Sequence, residues 1–183
     1  MPRVSCRESI LAAAETVVIE AGAAHLTLEA VAERAGLSKG GLIYHFPTKE
    51  SLLEAMVARM AERFEQERER VRRQLGDRNA SDLVVEILTL QGYSRDHHRL
   101  SAALLAVVAN KPELIGGTRA ELRKRFHRRL TSRGDFNPCA VLFFAALGLH
   151  FHDLLNLSLL SRKQRGELYR HLVNEARKEV ESP

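Results

Sequence analysis

Residues 26–53 read LTLEAVAERAGLSKGGLIYHFPTKESLL, and this stretch sets the fold. Thr27 is placed to cap a short helix through Ala35, with Gly36 closing it, and Ser38 to cap a second one to about Phe46. Pro47 stops that helix and Thr48 caps the next. Two short helices joined by a tight turn at Ala35-Gly36-Leu37 make a helix-turn-helix. Leu28, Val31, Leu37 and Leu42 are its apolar pins. Ala32 is small where the helices cross, and Gly36 permits the positive φ of the turn. This arrangement leaves the N-terminal end of the second helix free to enter a major groove.

Outward from this stretch the punctuation is helical throughout. Ser5 with Glu8 makes a capping box ahead of Ile10, Leu11, Ala14, Val17, Val18 and Ala21, an apolar stripe at helical spacing that ends at Gly22. Residues 48–75 read as one long helix, apolar at Leu52, Leu53, Met56, Val57, Met60 and Phe64. Its end (65–73) is a charged stretch expected to be solvated, with Val71 and Leu75 as anchors. Further helices are expected over 79–95 and 98–109, with His97 and His98 exposed at the start of the second and Lys111-Pro112 as a break. Thr118 with Glu121 makes a capping box for a basic helix to about Ser132, followed by a turn at Arg133-Gly134-Asp135. Asn137 as cap with Pro138 at the first helical position opens a helix to Leu160. Ser161 with Gln164 opens the last, to about Glu181. About nine helices and no strand define an all-α fold.

The chain has 183 residues and a net charge of +5, enough length to bury a core without disulfides or a structural metal. Charge is unevenly spread. Residues 1–46 carry four basic against five acidic groups, residues 47–75 seven against six, and residues 119–133 seven against one. Bulk charge is therefore weak support for nucleic-acid binding, and local sequence must carry that case. Cys6 and Cys139 form no CxxC pair, which argues against a disulfide framework or a zinc ribbon and for a reducing compartment. No apolar stretch follows the charged N-terminal residues, so no secretory signal is expected. The segment 139–160 is apolar on nearly every face, but His150, His152, Asp153 and Asn156 interrupt the roughly 20 apolar residues that a membrane span needs. A helix buried on several sides fits it better, with one side on its own core and another on a partner subunit.

Gly22, the run from Thr27 to Gly36, Ser38-Lys39-Gly40-Gly41, Tyr44-His45-Phe46-Pro47 and Lys49-Glu50-x-Leu52 resemble the tetracycline-repressor (TetR) family in order and spacing. The resemblance spans about residues 5–55. It implies a cytoplasmic, one-component transcriptional regulator, usually a repressor, that binds a palindromic operator as a homodimer and is released by a small molecule. A DNA-binding head over 1–47 is then followed by a ligand-binding and dimerisation domain over 48–183, with the long helix 48–75 coupling pocket to head. Carried over by position, Thr27 grips a phosphate, and Ser38, Lys39, Gly40 and Gly41 open the recognition helix. Lys39 reaches a guanine edge or a phosphate, Tyr44 and His45 reach the backbone or a groove edge, and Lys49 contacts phosphate. Arg3 and Arg7 are candidates for a flanking phosphate or the minor groove. Two adjacent glycines leave few side chains for reading bases, so part of the readout is expected to be indirect. One departure is Ile43, where the family usually has an aromatic residue.

Beyond the head, the resemblance implies that 139–160 and 161–181 build a four-helix bundle across a two-fold axis. Phe144, Leu147, Gly148, Phe151, Leu154 and Leu155 form one stripe, and Leu168, Leu172, Val173 and Ala176 its companion. Phe144, Leu147, His150 and Phe151 are the candidate ligand-binding residues. His150 and Asp153 share a helix face while His152 points elsewhere, too few convergent ligands for a metal, and no cofactor is expected. The basic run 119–133 is either a solvated face or a rim that draws an anionic inducer. No GxSxG, P-loop, GxGxxG after a strand, or HExxH is present, so catalysis is not expected. The alternative from another class is a helical homodimeric scaffold whose helix-turn-helix contacts protein.

Overall fold

The computed structural model of the chain describes residues 5–76, 81–92, 95–130, 135–157 and 159–181. They form α1 (Cys6–Ala21), α2 (Leu28–Ala35), α3 (Lys39–His45), α4 (Lys49–Gln74), α5 (Asp82–Gln91), α6 (Arg95–Asn110), α7 (Gly116–Leu130), α8 (Phe136–Leu154) and α9 (Arg162–Glu181), with 3-10 turns at Ala23–His25 and Pro112–Ile115. No strand occurs among the described residues.

Local capping chemistry explains most of the helix starts. The Ser5 hydroxyl accepts from the Glu8 amide at 3.2 Å, Thr27 from Ala30 at 3.1 Å and Ser38 from Gly41 at 3.1 Å. Thr48 and Ser51 cap each other reciprocally, with amide-to-hydroxyl distances of 3.0 and 3.2 Å. Ser161 accepts from the Gln164 amide while the Gln164 side chain accepts from the Ser161 amide, a complete capping box. Each such contact satisfies an amide that the helix leaves unpaired and is worth about 1 kcal/mol.

Several expected boundaries move. The start at Asn79 and the turn at Arg133-Gly134 lie outside the described residues. α5 is capped by Ser81 and stops at Gln91, because the Gly92 amide closes onto the Leu88 and Thr89 carbonyls. α6 starts at Arg95 rather than His98, which leaves His97 exposed but half-buries His98. α7 begins at Gly116, continuing from the Pro112–Ile115 turn, two residues ahead of the expected cap position 118, whose side chain lies outside the described ones. α8 begins at Phe136, so Asn137 and Pro138 lie inside its first turn, where a missing amide costs nothing. It ends at Leu154, short of Leu160. Asn156 adopts φ 54°, its amide donates to Asp153 and the Leu157 amide to His152, the paired bonds of a left-handed helix terminus.

By contacts the chain divides into two compact units, residues 1–61 with 99–118 and residues 62–98 with 119–183. In the first, Ile10, Leu11, Ala14 and Val18 of α1 pack with Val31 and Ala32 of α2, Leu42 of α3, Phe46, and Leu52, Leu53 and Met56 of α4. Leu100 and Leu104 of α6 complete this core. Arg59 on α4 spans to α1, with Nη1 3.0 Å from Glu8 and Nε 3.3 Å from the buried Glu15.

In the second unit, Leu83, Val84, Ile87 and Leu90 of α5 pack with Cys139 and Ala146 of α8 and with Tyr169, Leu172, Val173 and Ala176 of α9. The charged end of α4 is not simply solvated. Arg68 is 4% exposed, and its Nε lies 2.6 Å from Glu86, itself buried. Asp82 and Glu65 flank the same guanidinium at 3.5 Å, and Arg72 also pairs with Asp82. The anchors of this stretch are therefore Val71 and Arg68, while Leu75 is exposed. Removing one partner of such a buried pair strands the other charge, at a cost of about 3–5 kcal/mol. These pairs tie the end of α4 to α5.

Candidate nucleic-acid interface

α3 has seven residues, too few to be stable alone, so its packing decides which face it shows. Leu42 and Phe46 are fully buried against α1, α2 and α4. The opposite side is then forced outward, carrying Lys39, Gly40, Ile43 and Tyr44. Tyr44 is 84% exposed, far more than a tyrosine needs for solubility. The turn before α3 holds Gly36 at φ 67°, a left-handed conformation that costs a residue with a Cβ about 1–2 kcal/mol. A Cβ at Gly41 would stand 3.3 Å from the Ser38 capping oxygen, whereas Gly40 faces open space. Gly41 thus serves the cap, and Gly40 leaves bare backbone on the outer face.

The other predicted contact residues lie on α2, α3 and α4 or at their starts. Thr27 caps α2 and is exposed. Its oxygen accepts from Ala30, which leaves its O–H to donate outward. His45 is half-buried, its ring edge-on to Tyr44 at 5.2 Å. Lys49, in the first turn of α4, is half-buried. The Arg7 guanidinium lies over the Phe46 ring at 5.2 Å, and Arg3 lies outside the described residues. One partner was not foreseen. Glu29 on α2 holds the Lys39 ammonium at 2.6 Å, and this hydrogen bond keeps its carboxyl below the usual range. Lys39 must leave that carboxylate to meet a phosphate. The signal was a pair ten residues apart across the turn, invisible to helix-spacing rules.

In the second unit the candidate ligand residues divide between two faces of α8. Phe144 and Phe151 are exposed and Leu147 is half-buried, whereas His150 is buried. His150 Nδ1 lies 3.3 Å from the Leu90 carbonyl, and its ring is 5.2 Å from that of His98. Asp153 accepts from Arg165 Nε at 2.6 Å, and that guanidinium lies 4.9 Å over the ring of the fully buried Tyr169. Burial pushes the Tyr169 hydroxyl up to about 12. No group of three His, Cys, Asp or Glu side chains is disposed for a metal among the described residues. Cys6 and Cys139 are both free. No described helix is long and apolar enough to cross a membrane.

A tri-helical core presenting the outer face of a short, capped second helix defines a helix-turn-helix protein. The chain belongs to the TetR family. Residues 10–56 match the model of bacterial regulatory proteins of the tetR family, and residues 83–177 that of the tetracyclin repressor-like C-terminal domain. It is a transcriptional regulator of this family and not an enzyme. The fold is similar to that of a transcriptional regulator from Rhodococcus sp. RHA1 (20% identity, 98% of this chain and 100% of that one, TM-score 0.74). It is also similar to a TetR-family member from Streptomyces coelicolor A3 (24%, 92% and 98%, TM-score 0.70). The multidrug binding protein EbrR, solved in complex with imidazole, is a third (24%, 93% and 94%, TM-score 0.69). A comparison with curated proteins finds no match.

Two outcomes are expected from this geometry. Glu29→Gln releases Lys39, so duplex affinity rises at low salt and the slope of log affinity against log salt steepens by about one unit. Fluorescence anisotropy over a salt series measures both. The second concerns pH. Burial pushes the imidazoles of His98 and His150 below their ordinary value. The unfolded chain therefore binds more protons once pH falls below about 6.5, and stability is lost in that direction. The melting temperature should drop between pH 7.5 and 5.5, and His150→Gln should shrink the drop.

Proposed function

We propose that this chain is a ligand-responsive repressor that binds a palindromic operator as a homodimer. Residues 1–47 form its DNA-binding head, and residues 48–183 carry ligand recognition and dimerisation. It acts in the cytoplasm, where its DNA is. The observation that carries the reading is the outer face of α3, with Tyr44 almost fully exposed beside bare backbone at Gly40 and the cationic Lys39. A tyrosine exposed beside a cation and bare backbone is suited to contact a DNA backbone or groove edge. Thr27, Ser38, Gly41, His45 and Lys49 are assigned to the same contact.

Dimerisation is supported by a second exposed surface. Val141, Phe144 and Phe151 recur at helical spacing along α8, all exposed; Leu155, just past its end, and Leu168 of α9 are exposed as well. Gly148 lies in the same stripe, with open space where a Cβ would stand. An isologous contact across a two-fold axis would cover it. A dimer would place its two α3 helices in successive major grooves, about 34–36 Å apart. EbrR, of similar fold, has been solved with imidazole, ethidium and malachite green. A small molecule that prefers dimers with the wrong head spacing would then release DNA by mass action.

Selection from genomic fragments followed by footprinting tests the proposal. The expected result is a protected palindrome, with affinity weakened about tenfold or more by Tyr44→Ala and less by Lys49→Ala, which loses one phosphate contact. A folded protein that selects no fragment at low salt would refute it.

A further inference from the structure

Past Phe64, α4 turns from apolar to charged. Arg68 and Val71 face the core. Arg63, Gln66, Glu67, Arg70 and Arg73 instead share about a third of the helix circumference over roughly 15 Å. Across from them stand Gly92, just past α5, and His97, in the first turn of α6. Among the described residues, these line a cleft of about 530 Å³ in the second unit, a volume suited to a small organic molecule.

Among the described lining residues, three guanidinium groups stand with one carboxylate. The carboxylate is already engaged. Arg70 Nε donates to Glu67 at 2.8 Å and a second nitrogen of the same guanidinium also pairs with it. That hydrogen bond, aided by the charges of Arg70 and His97, keeps the Glu67 carboxyl below its usual range. Arginine forks match the geometry of phosphate and carboxylate oxygens in a way that single surface ammonium groups do not. A concave wall also concentrates their field.

We propose that this cleft binds an organic anion with at least two negative charges, a phosphate ester or a polycarboxylate. Arg63, Arg70 and Arg73 hold it, and Glu67 is the internal anion that it displaces from Arg70. This names the chemical class of the regulator's small molecule and so rests on the ligand-responsive reading.

Isothermal titration of the full-length protein at low salt, with pyrophosphate in one arm, citrate in the other and ethidium as a control, tests it. The expected result is one anion bound per chain in at least one arm, and the better arm identifies phosphate or carboxylate. Arg63→Gln and Arg73→Gln, which keep helix propensity, should each weaken binding about tenfold. Glu67→Gln removes the competitor and should tighten it several-fold. Absence of binding in both arms, or affinities that the arginine variants leave unchanged, overturns the proposal. Operator binding is assayed on the same preparations. Operator binding without anion binding defeats only this proposal, and anion binding without operator binding defeats only the regulator reading.

Discussion

The burial of Leu42 and Phe46 is the constraint on which the surface proposed to face DNA depends. A helix of seven residues has almost no stability of its own, so α3 exists because these two side chains are held by α1, α2 and the start of α4. Once they point inward, the pitch of the helix leaves Lys39, Gly40, Ile43 and Tyr44 no other direction than out. The left-handed turn at Gly36 and the Ser38 cap fix where that surface begins. The Glu29–Lys39 pair then sets its charge. Function in this unit is the face that folding leaves over.

The second unit obeys a different logic. Its interior is not purely apolar, since Arg68 with Glu86 is buried among aliphatic side chains, and the half-buried Arg165–Asp153 pair lies over the buried Tyr169. Such groups demand their partners, because an unpaired buried charge costs several kcal/mol. The same unit leaves an apolar stripe on α8 uncovered, which the proposed dimer would bury.

The parts of this structure legible in the sequence are those governed by contacts three or four residues apart. Ser5, Thr27, Ser38, Thr48 and Ser161 each cap the helix that their spacing predicts, and the apolar pins Val31 and Leu42 are buried. What escaped depends on distance along the chain or on unusual backbone. Asn156 ends α8 by adopting a left-handed conformation, a role that asparagine takes less often than glycine. The charged run at the end of α4 looked solvated, yet Arg68 is buried because acidic partners arrive from α5, some fourteen to eighteen residues later. Leu100 and Leu104 join the core of α1 from ninety residues away, and nothing local announces it. His150 escaped for the same reason, its partner being the Leu90 carbonyl on another helix.

In the proposed complex the outer face of α3 contacts DNA in two copies related by a two-fold axis. The most direct measurement places a photo-crosslinking residue at position 44 of the full-length protein and maps the adducts on a selected operator. Two symmetric adducts about 34–36 Å apart along the duplex are predicted. Adducts confined to protein, or a single unpaired site on the duplex, would contradict it.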